Sequence, residues 1–328
     1  MQAGLDGTGQ VVAVSDTGID QNNCYFYDPD NTPSDVGSPL QFCSLFSRCF
    51  EKTFSFIHIA FQKYDDRHRK IVQYVDYVDD SDYEYGHGTH VSGIVAGKRI
   101  DGPGMADGIA PGSKIAFMDI GDSEGSLVLP QDDYILETGS PKVKIHSASW
   151  GSETNFYTTQ ARNFDQYMYD DDEFLICIAA GNSGAGDAPF TVGSPATGKN
   201  IIAVGAHHNT DSSQPKGCLG PSYIADFSSR GPTSDGRTKP DILAAGKAVL
   251  SAGALPDIVG ECDPSKIPEA GSKADGVLSL QGTSMATTVV SAAAAITRQY
   301  FMQGYYPTGV KVEANIIENP SGALIKAV

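Results

Sequence analysis

The sequence predicts an α/β protein whose doubly wound, mostly parallel β-sheet carries helices on both faces. Short, continuously apolar runs recur along the chain, among them residues 10–15, 114–120 and 174–180. Such runs are typical of strands that are buried on both faces of a parallel sheet. Segments with a helical pattern separate several of these runs, which indicates strands joined by crossover helices.

Length and composition limit the classes of protein that this chain can belong to. It has 328 residues, of which 40% are hydrophobic and 19% charged, so it can bury a large core, and we expect one domain over 1–328. The net charge of −17 argues against a nucleic-acid partner, because phosphate repels an acidic surface. No apolar run approaches the ~20 residues that cross a bilayer, so we expect no contact with a membrane.

The predicted strands and helices fill most of the chain outside residues 21–70, which are irregular. Further strands are predicted at 71–78, 142–150, 200–206 and 249–252. Helices are predicted to begin at His87, to cover 158–170, to follow Ser284 and to cover 322–327. The last of these stops too early to bury a face, which predicts a chain truncated at its C-terminal end.

The six cysteines favour an oxidising compartment. Cys177 lies in an apolar run and is predicted to be a reduced core residue. The other five lie in loop-like surroundings, as disulfide cysteines of secreted proteins do. We expect one disulfide between Cys218 and Cys262. A second is expected within a group of three loop cysteines, Cys24, Cys43 and Cys49, although connectivity does not follow from sequence.

Ser284 stands where a predicted buried helix begins, in the stretch Gly282-Thr283-Ser284. Free N–H groups and the positive end of the helix dipole favour negative charge at this point. A serine here can attack a carbonyl group while backbone amides hold the resulting oxyanion. The alternative is an ordinary core helix that Ser or Thr caps.

Three other polar residues also stand at the edges of predicted elements. His87 begins a helix and is a candidate general base; the alternatives are a core histidine, or a metal pair with His90. Asp16 follows the first strand, and Asn182 follows the most apolar one, where its amide could hold an oxyanion; the alternative for each is a turn residue. The acidic run 79–84 could bind calcium, but its spacing favours a solvated face.

Asp16, His87 and Ser284 occur in that order, with Asn182 between the last two, and they form the set that acyl transfer needs. Here the chain resembles the subtilisin-like serine peptidases, or subtilases. The resemblance extends from about residue 4 to the end, and it is poorest over 21–70. Five motifs carry it: Asp16-Thr17-Gly18, Gly86-His87-Gly88-Thr89-His90-Val91-Ser92-Gly93, Ser149-Trp150-Gly151, Ala179-Ala180-Gly181-Asn182-Ser183-Gly184 and Gly282-Thr283-Ser284-Met285-Ala286-Thr287.

The resemblance implies an Asp-His-Ser triad on the subtilisin fold. Ser284 would be the nucleophile, His87 the general base and acid, and Asp16 the residue that fixes the imidazole tautomer. Asn182 and the backbone N–H of Ser284 would form the oxyanion hole. Substrates would be polypeptides, bound by six residues whose uncharged character implies broad cleavage after apolar or aromatic side chains: Ser149, Trp150, Gly151, Ala179, Ala180 and Gly181.

The resemblance also implies features that cannot be placed on particular residues. Calcium is expected as a structural ion, and no cofactor is expected for the chemistry. We expect a monomer that is secreted or lumenal, that lacks its signal and pro-segment here, and that resembles larger subtilases with a β-rich C-terminal domain. The main alternative is a non-catalytic peptide-binding relative whose cleft the irregular insert at 50–70 obstructs. An ester hydrolase with its histidine last is disfavoured, because here the histidine precedes the serine.

Overall fold

A computed structural model describes residues 4–31, 64–83, 86–130, 134–139, 141–209, 218–255 and 276–328. Seven strands form one parallel sheet in the order β2-β3-β1-β4-β5-β6-β7. They are β1 (Val11–Asp16), β2 (Ile71–Asp76), β3 (Lys114–Asp119), β4 (Ile145–Ala148), β5 (Leu175–Ala179), β6 (Ile202–His208) and β7 (Ile242–Lys247). The α-helices are α1 (His87–Ala96), α2 (Thr159–Asp170), α3 (Thr283–Met302) and α4 (Gly322–Ala327). The predicted α/β fold class is therefore confirmed.

The central strands are buried on both faces, as their continuous apolar runs predict. All five residues of β5 are buried. On β4, Ser147 accepts a hydrogen bond from Ser291 of α3 (2.9 Å). Its neighbour His146 points to the opposite face, because side chains alternate along a strand, and there it contacts Ser15 (3.0 Å). On that second face the ring of Phe164, from α2, packs against Trp150, so helices cover both faces.

Three carboxylates lie in register at the C-terminal edge of the sheet. Asp16 of β1 pairs with Asp119 of β3, and Asp119 in turn pairs with Asp76 of β2. The helix α1 begins at the same edge, where the backbone N–H of Gly88 donates to the side chain of Thr17 (2.9 Å). Ligands of open α/β sheets bind at this edge, so we expect the functional site here.

Two strands of the C-terminal half, β7 and a strand β9 (Val277–Leu280), were not predicted from the sequence. Residues 249–252 form β8 (Val249–Ala252), which pairs antiparallel with β9 outside the main sheet. We predicted neither β9 nor the separate edge strand β7. Both are only partly buried along most of their length, so they lack the continuous apolar run that marks a central strand.

The cysteines give a mixed outcome. Cys177 is reduced and buried, as predicted, but Cys218 is also a free thiol, so the expected Cys218–Cys262 disulfide is wrong. The sulfur of Cys218 instead lies 3.9 Å from the carbonyl oxygen of Lys247. Cys24 is disulfide-bonded, and the remaining cysteines, Cys43, Cys49 and Cys262, lie outside the described residues.

The last helix is better anchored than its length suggests. Although α4 has six residues, Ile325 is 6% exposed and the N–H of Gly322 donates to the Asp172 carbonyl oxygen (2.8 Å). The expectation that so short a helix cannot bury a face is therefore wrong. Within the ranges that the structure describes, no helix has the length and apolarity to cross a membrane. Most of the insert at 50–70 falls outside those ranges.

Candidate active site

Ser284 is the second residue of α3, directly after Thr283. The helix has Gly282 at its N-cap and no side-chain cap from that residue. Instead, Oδ1 of Asn182, from the loop after β5, accepts from the N–H of Thr283 (2.9 Å). The backbone N–H of Ser284 has no partner within the helix, as is general for the first turn. A Ser or Thr cap thus does not account for this stretch.

The His87–Asp16 pair lies at the C-terminal end of β1. His87 is the first residue of α1, and its Nδ1 lies 2.7 Å from Oδ1 of Asp16. Asp16 is 1% exposed, and its Oδ1 also accepts from the N–H of Thr17 (2.9 Å). The imidazole of His87 is 28% exposed, so the ring is open to a reactant while its partner is shielded from water.

The surroundings of His87 favour its charged form. Burial disfavours the imidazolium, but the negative charge of Asp16 and the hydrogen bond to it outweigh burial, and the pKa of His87 is raised above its usual value. Asp82 adds to this effect through its charge. Nearby carboxylates raise the pKa of a histidine in this way because they stabilise the protonated ring.

The hydroxyl of Ser284 points to a carbonyl group in this structure. Its Oγ donates to the carbonyl oxygen of Ser149 (3.2 Å), and the described residues give it no hydrogen bond to His87. The helices α1 and α3 nevertheless pack against each other. Bonds between a nucleophile and its base are often loose in the free protein and tighten when a reactant binds.

Asn182 is exposed beside the start of α3. Its Oδ1 accepts from both the N–H and the hydroxyl of Thr283, at 2.9 and 3.1 Å. These bonds fix the orientation of the amide, so that Nδ2 is left as the donor. In the part of the chain that the structure describes, Nδ2 makes no hydrogen bond, and it is free to donate to a bound group.

A cavity of about 350 Å³ lies between β4, β5 and the start of α3. Asn182 and Ser284 line it together with all six residues that the sequence placed in a substrate cleft: Ser149, Trp150, Gly151, Ala179, Ala180 and Gly181. The ring of Trp150 belongs to the core, because its indole N–H donates to the Ser15 carbonyl oxygen (3.1 Å). Glu153 also lines the cavity, so the expected uncharged lining is wrong.

His90 has a structural role. It is fully buried, and its Nε2 lies 3.1 Å from the carbonyl oxygen of Val249 and 3.0 Å from that of Leu278. It therefore joins the two strands of the β8–β9 hairpin, while burial lowers its pKa to about 4. His87 and His90 therefore contact different groups. No group of three or more His, Cys, Asp or Glu in the described ranges could hold a metal ion.

Asp82 lies beside the site, and we did not predict it from the sequence. It lies in the acidic run 79–84, interpreted as a solvated face, and that interpretation holds for Asp80, which is exposed. Asp82, however, is 1% exposed and accepts hydrogen bonds from Thr17 and Thr89 beside the His87–Asp16 pair. Within a run of acidic residues no sequence signal distinguishes the one that turns inward.

Comparison with known proteins shows what the chain is similar to. Residues 7–320 match the family model described as the subtilase family. The chain is 31% identical, over 99% of its length, to the serine protease/ABC transporter B family protein tagB of Dictyostelium discoideum, of which it spans 19%. It is 29% identical, over 75% of its length, to the serine protease AprX of Bacillus subtilis, of which it spans 57%. The chain spans about a fifth of the length of the first curated relatives it matches.

Solved structures support the same fold. A cold-adapted subtilisin-like serine proteinase superimposes with a TM-score of 0.54 at 20% identity, covering 99% of this chain and 82% of that one. Sphericase gives a TM-score of 0.59 at 23% identity, covering 98% and 82%. At these identities the likeness concerns the arrangement of strands and helices.

Proposed function

The chain belongs to the subtilase family, and on that premise we propose that it is a serine endopeptidase acting through an acyl-enzyme. The observation that carries the proposal is the 2.7 Å contact between His87 and the buried Asp16 at the sheet edge that also receives the start of the Ser284 helix. A base with an orienting acid, next to a serine at a helix N-terminus, is the arrangement that acyl transfer requires.

Each residue has a defined task in this mechanism. The Oγ of Ser284 attacks the peptide carbonyl carbon while Nε2 of His87 takes the hydroxyl proton, and His87 later gives that proton to the leaving amine. Asp16 holds the ring so that Nε2 faces the serine. The negative oxygen of the tetrahedral intermediate accepts from the Ser284 N–H and from Nδ2 of Asn182. Water then releases the acyl group by the same route.

The substrate is a polypeptide that adds a strand beside residues 149–151. The backbone groups of Trp150 and Gly151 have no backbone hydrogen bonds within the described part of the chain, so they can pair with an extended peptide. The side chain before the cleaved bond, P1, enters the 350 Å³ cavity. Its mostly small, uncharged lining supports broad cleavage after apolar or aromatic residues, and Glu153 adds one carboxylate.

The extracytoplasmic location is part of the proposal. A disulfide at Cys24 supports it, because disulfides persist in oxidising compartments. Structural calcium is also in keeping with the family. No step of the mechanism uses it.

Covalent labelling tests the proposed function directly. A fluorophosphonate probe should modify the folded protein and not the heat-denatured protein, because only an assembled Ser284–His87 pair activates the hydroxyl. Peptide mapping should then place the adduct on Ser284. A protein that is folded by circular dichroism yet remains unlabelled would reject the peptidase and favour a peptide-binding relative with an obstructed cleft.

The pH dependence follows from the raised pKa of His87. The base must be neutral to accept the serine proton, so kcat/KM falls as the pH decreases through the His87 pKa, which lies above the usual 6.5. We expect the acid limb of kcat/KM for a fluorogenic peptide above pH 6.5. An acid limb below that value, with the circular dichroism spectrum unchanged across it, would contradict the assignment of His87.

Glu153 should widen the specificity towards basic P1 residues. Its carboxylate can pair with a P1 lysine, and the Glu153→Gln variant should lower kcat/KM for a P1-lysine peptide about fivefold, as expected for an exposed ion pair. A matched P1-phenylalanine peptide should be cleaved equally by both proteins. Equal losses on the two peptides would mean that Glu153 acts on the shape of the cavity rather than through its charge.

A further inference from the structure

Asp82 lies at the junction between the loop that follows Asp16 (residues 17–20, the Asp16 loop) and α1, the helix that carries His87. It is 1% exposed, and its carboxylate accepts four hydrogen bonds. Oδ1 accepts from the Thr17 hydroxyl (2.9 Å) and from the N–H of Tyr83 (3.0 Å). Oδ2 accepts from the N–H and the hydroxyl of Thr89, at 2.8 and 2.7 Å. A Cβ on Gly86 would overlap this carboxylate, so the helix start is packed directly against it.

The two hydroxyl groups have defined proton directions. The Thr17 hydroxyl accepts from the N–H of Gly88 (2.9 Å), and it therefore donates to Asp82. The Thr89 hydroxyl accepts from the N–H of Asp20 (2.8 Å), and it also donates to Asp82. The N–H of Thr17 in turn donates to the Asp16 carboxylate (2.9 Å). The Asp82 carboxylate thus accepts directly from Thr17 and from Thr89 in the first turn of α1, and Thr89 in turn accepts from the N–H of Asp20 at the far end of the loop.

We propose that Asp82 is a positioning residue for peptide hydrolysis, because its carboxylate holds the His87 helix and the Asp16 loop in one geometry. The role rests on the proposed function, since Asp82 acts through the other two residues and does not touch the reacting atoms. Chemistry of this kind is sensitive to position, and a displacement of about 1 Å can cost about 100-fold in rate.

The charge of Asp82 also reaches the base. It contributes to the raised pKa of His87, after the larger contribution of Asp16. The other titratable groups that sense Asp82 are Asp119, Tyr74 and Tyr83. Burial raises the pKa of Asp82 itself to about 7, against the hydrogen bonds that lower it, so its charge acts on His87 near and above that pH. Removing the carboxylate should therefore lower the pKa of His87 as well as loosen its position.

The Asp82→Asn variant tests the proposal. Each carboxylate oxygen of Asp82 accepts two hydrogen bonds. In either orientation, the asparagine amide would place its NH₂ group against two of these donors and lose both bonds. We expect kcat to fall about 100-fold with KM nearly unchanged, because the substrate cleft is not touched. The acid limb of kcat/KM should move to lower pH, because a base with a lower pKa stays neutral in more acidic solution.

Asp165→Asn is the matched control. Asp165 of α2 is 7% exposed, and its carboxylate accepts from the N–H groups of Lys199 and Asn200 and from the Tyr157 hydroxyl, outside the hydrogen bonds that link Asp82 to His87 and Asp16. It should lower the melting temperature about as much as Asp82→Asn while kcat stays at the wild-type value. If Asp82→Asn does not fold, Thr17→Val removes one of the two hydroxyl links and Thr17→Ser should restore kcat.

The outcomes separate this inference from the proposed function. Titration of the His87 ring by NMR, assigned with a His87→Gln variant, needs no activity and should show a lower pKa in Asp82→Asn. A folded Asp82→Asn protein with the wild-type kcat and His87 pKa would overturn the inference, as would an equal loss of kcat in Asp165→Asn. A wild-type protein that hydrolyses no peptide would instead reject the proposed function, whatever the NMR titration shows.

Discussion

Replacing Ser284 by alanine is expected to lower kcat/KM for a peptide substrate by about 10⁶-fold. Nucleophile and base act as a unit, so loss of the hydroxyl removes the covalent route entirely and leaves only the contribution of the oxyanion hole and of binding. The cost in stability should be small, because among the described residues the hydroxyl makes one hydrogen bond, of 3.2 Å to the carbonyl oxygen of Ser149, and such a bond contributes about 1 kcal/mol.

The measurement is hydrolysis of a fluorogenic peptide, with the melting temperature recorded on the same samples. Ser183→Ala is the control, because this exposed serine lines the same cavity but has no part in the mechanism. It should retain wild-type kcat/KM. Residual activity of Ser284→Ala within tenfold of wild type would mean that another group attacks the substrate.

Replacing Asn182 should give the second-largest loss. Asn182→Ala removes the Nδ2 donor and is expected to lower kcat by about 100- to 1,000-fold, the cost of one oxyanion donor. The KM should change little, because the bond forms with the charged oxygen of the transition state rather than with the bound peptide. The variant also loses the acceptor for the N–H of Thr283, so its melting temperature should fall.

Asn182→Asp separates these two effects. Its carboxylate can still accept from Thr283, which preserves the start of α3, but it offers no donor and places negative charge beside the developing oxyanion. We therefore expect a larger loss of kcat than in Asn182→Ala, with a melting temperature closer to wild type. If the aspartate variant were the more active of the two, the role of Asn182 would be structural and the oxyanion hole would lie elsewhere.

Much of the fold could be predicted because its signals are local. A continuous apolar run such as 174–180 marks a buried strand without reference to the rest of the chain, and β5 occupies most of it. The candidate site could also be predicted from local signals, because Asp16, His87 and Ser284 stand at the ends of strands and helices that the pattern of apolar residues predicts. The structure then brings Asp16 and His87 into contact because parallel strands share one C-terminal edge.

The remaining features depend on contacts between distant segments, which no local pattern encodes. The free thiol of Cys218 depends on where its loop lies in space. Glu153 lines the cavity because the backbone on either side of it bonds to Ser194. Asp82 is buried because two threonine hydroxyls donate to its carboxylate. Residues of these three types occur at both exposed and buried positions, so the residue type alone does not predict which position each one takes.

The order of the elements along the chain also determines when the site can exist during folding. The contact between Ser284 and Ser149 spans 135 residues, and the one between Gln299 of the same helix and Gly7 spans 292. Contacts of such long range form slowly, because loop closure precedes the gain from packing. Under the proposed mechanism, a partly folded chain without α3 docked would hold the acid and the base but no nucleophile. Such a chain would not cut itself or its neighbours while its own loops are still open to attack.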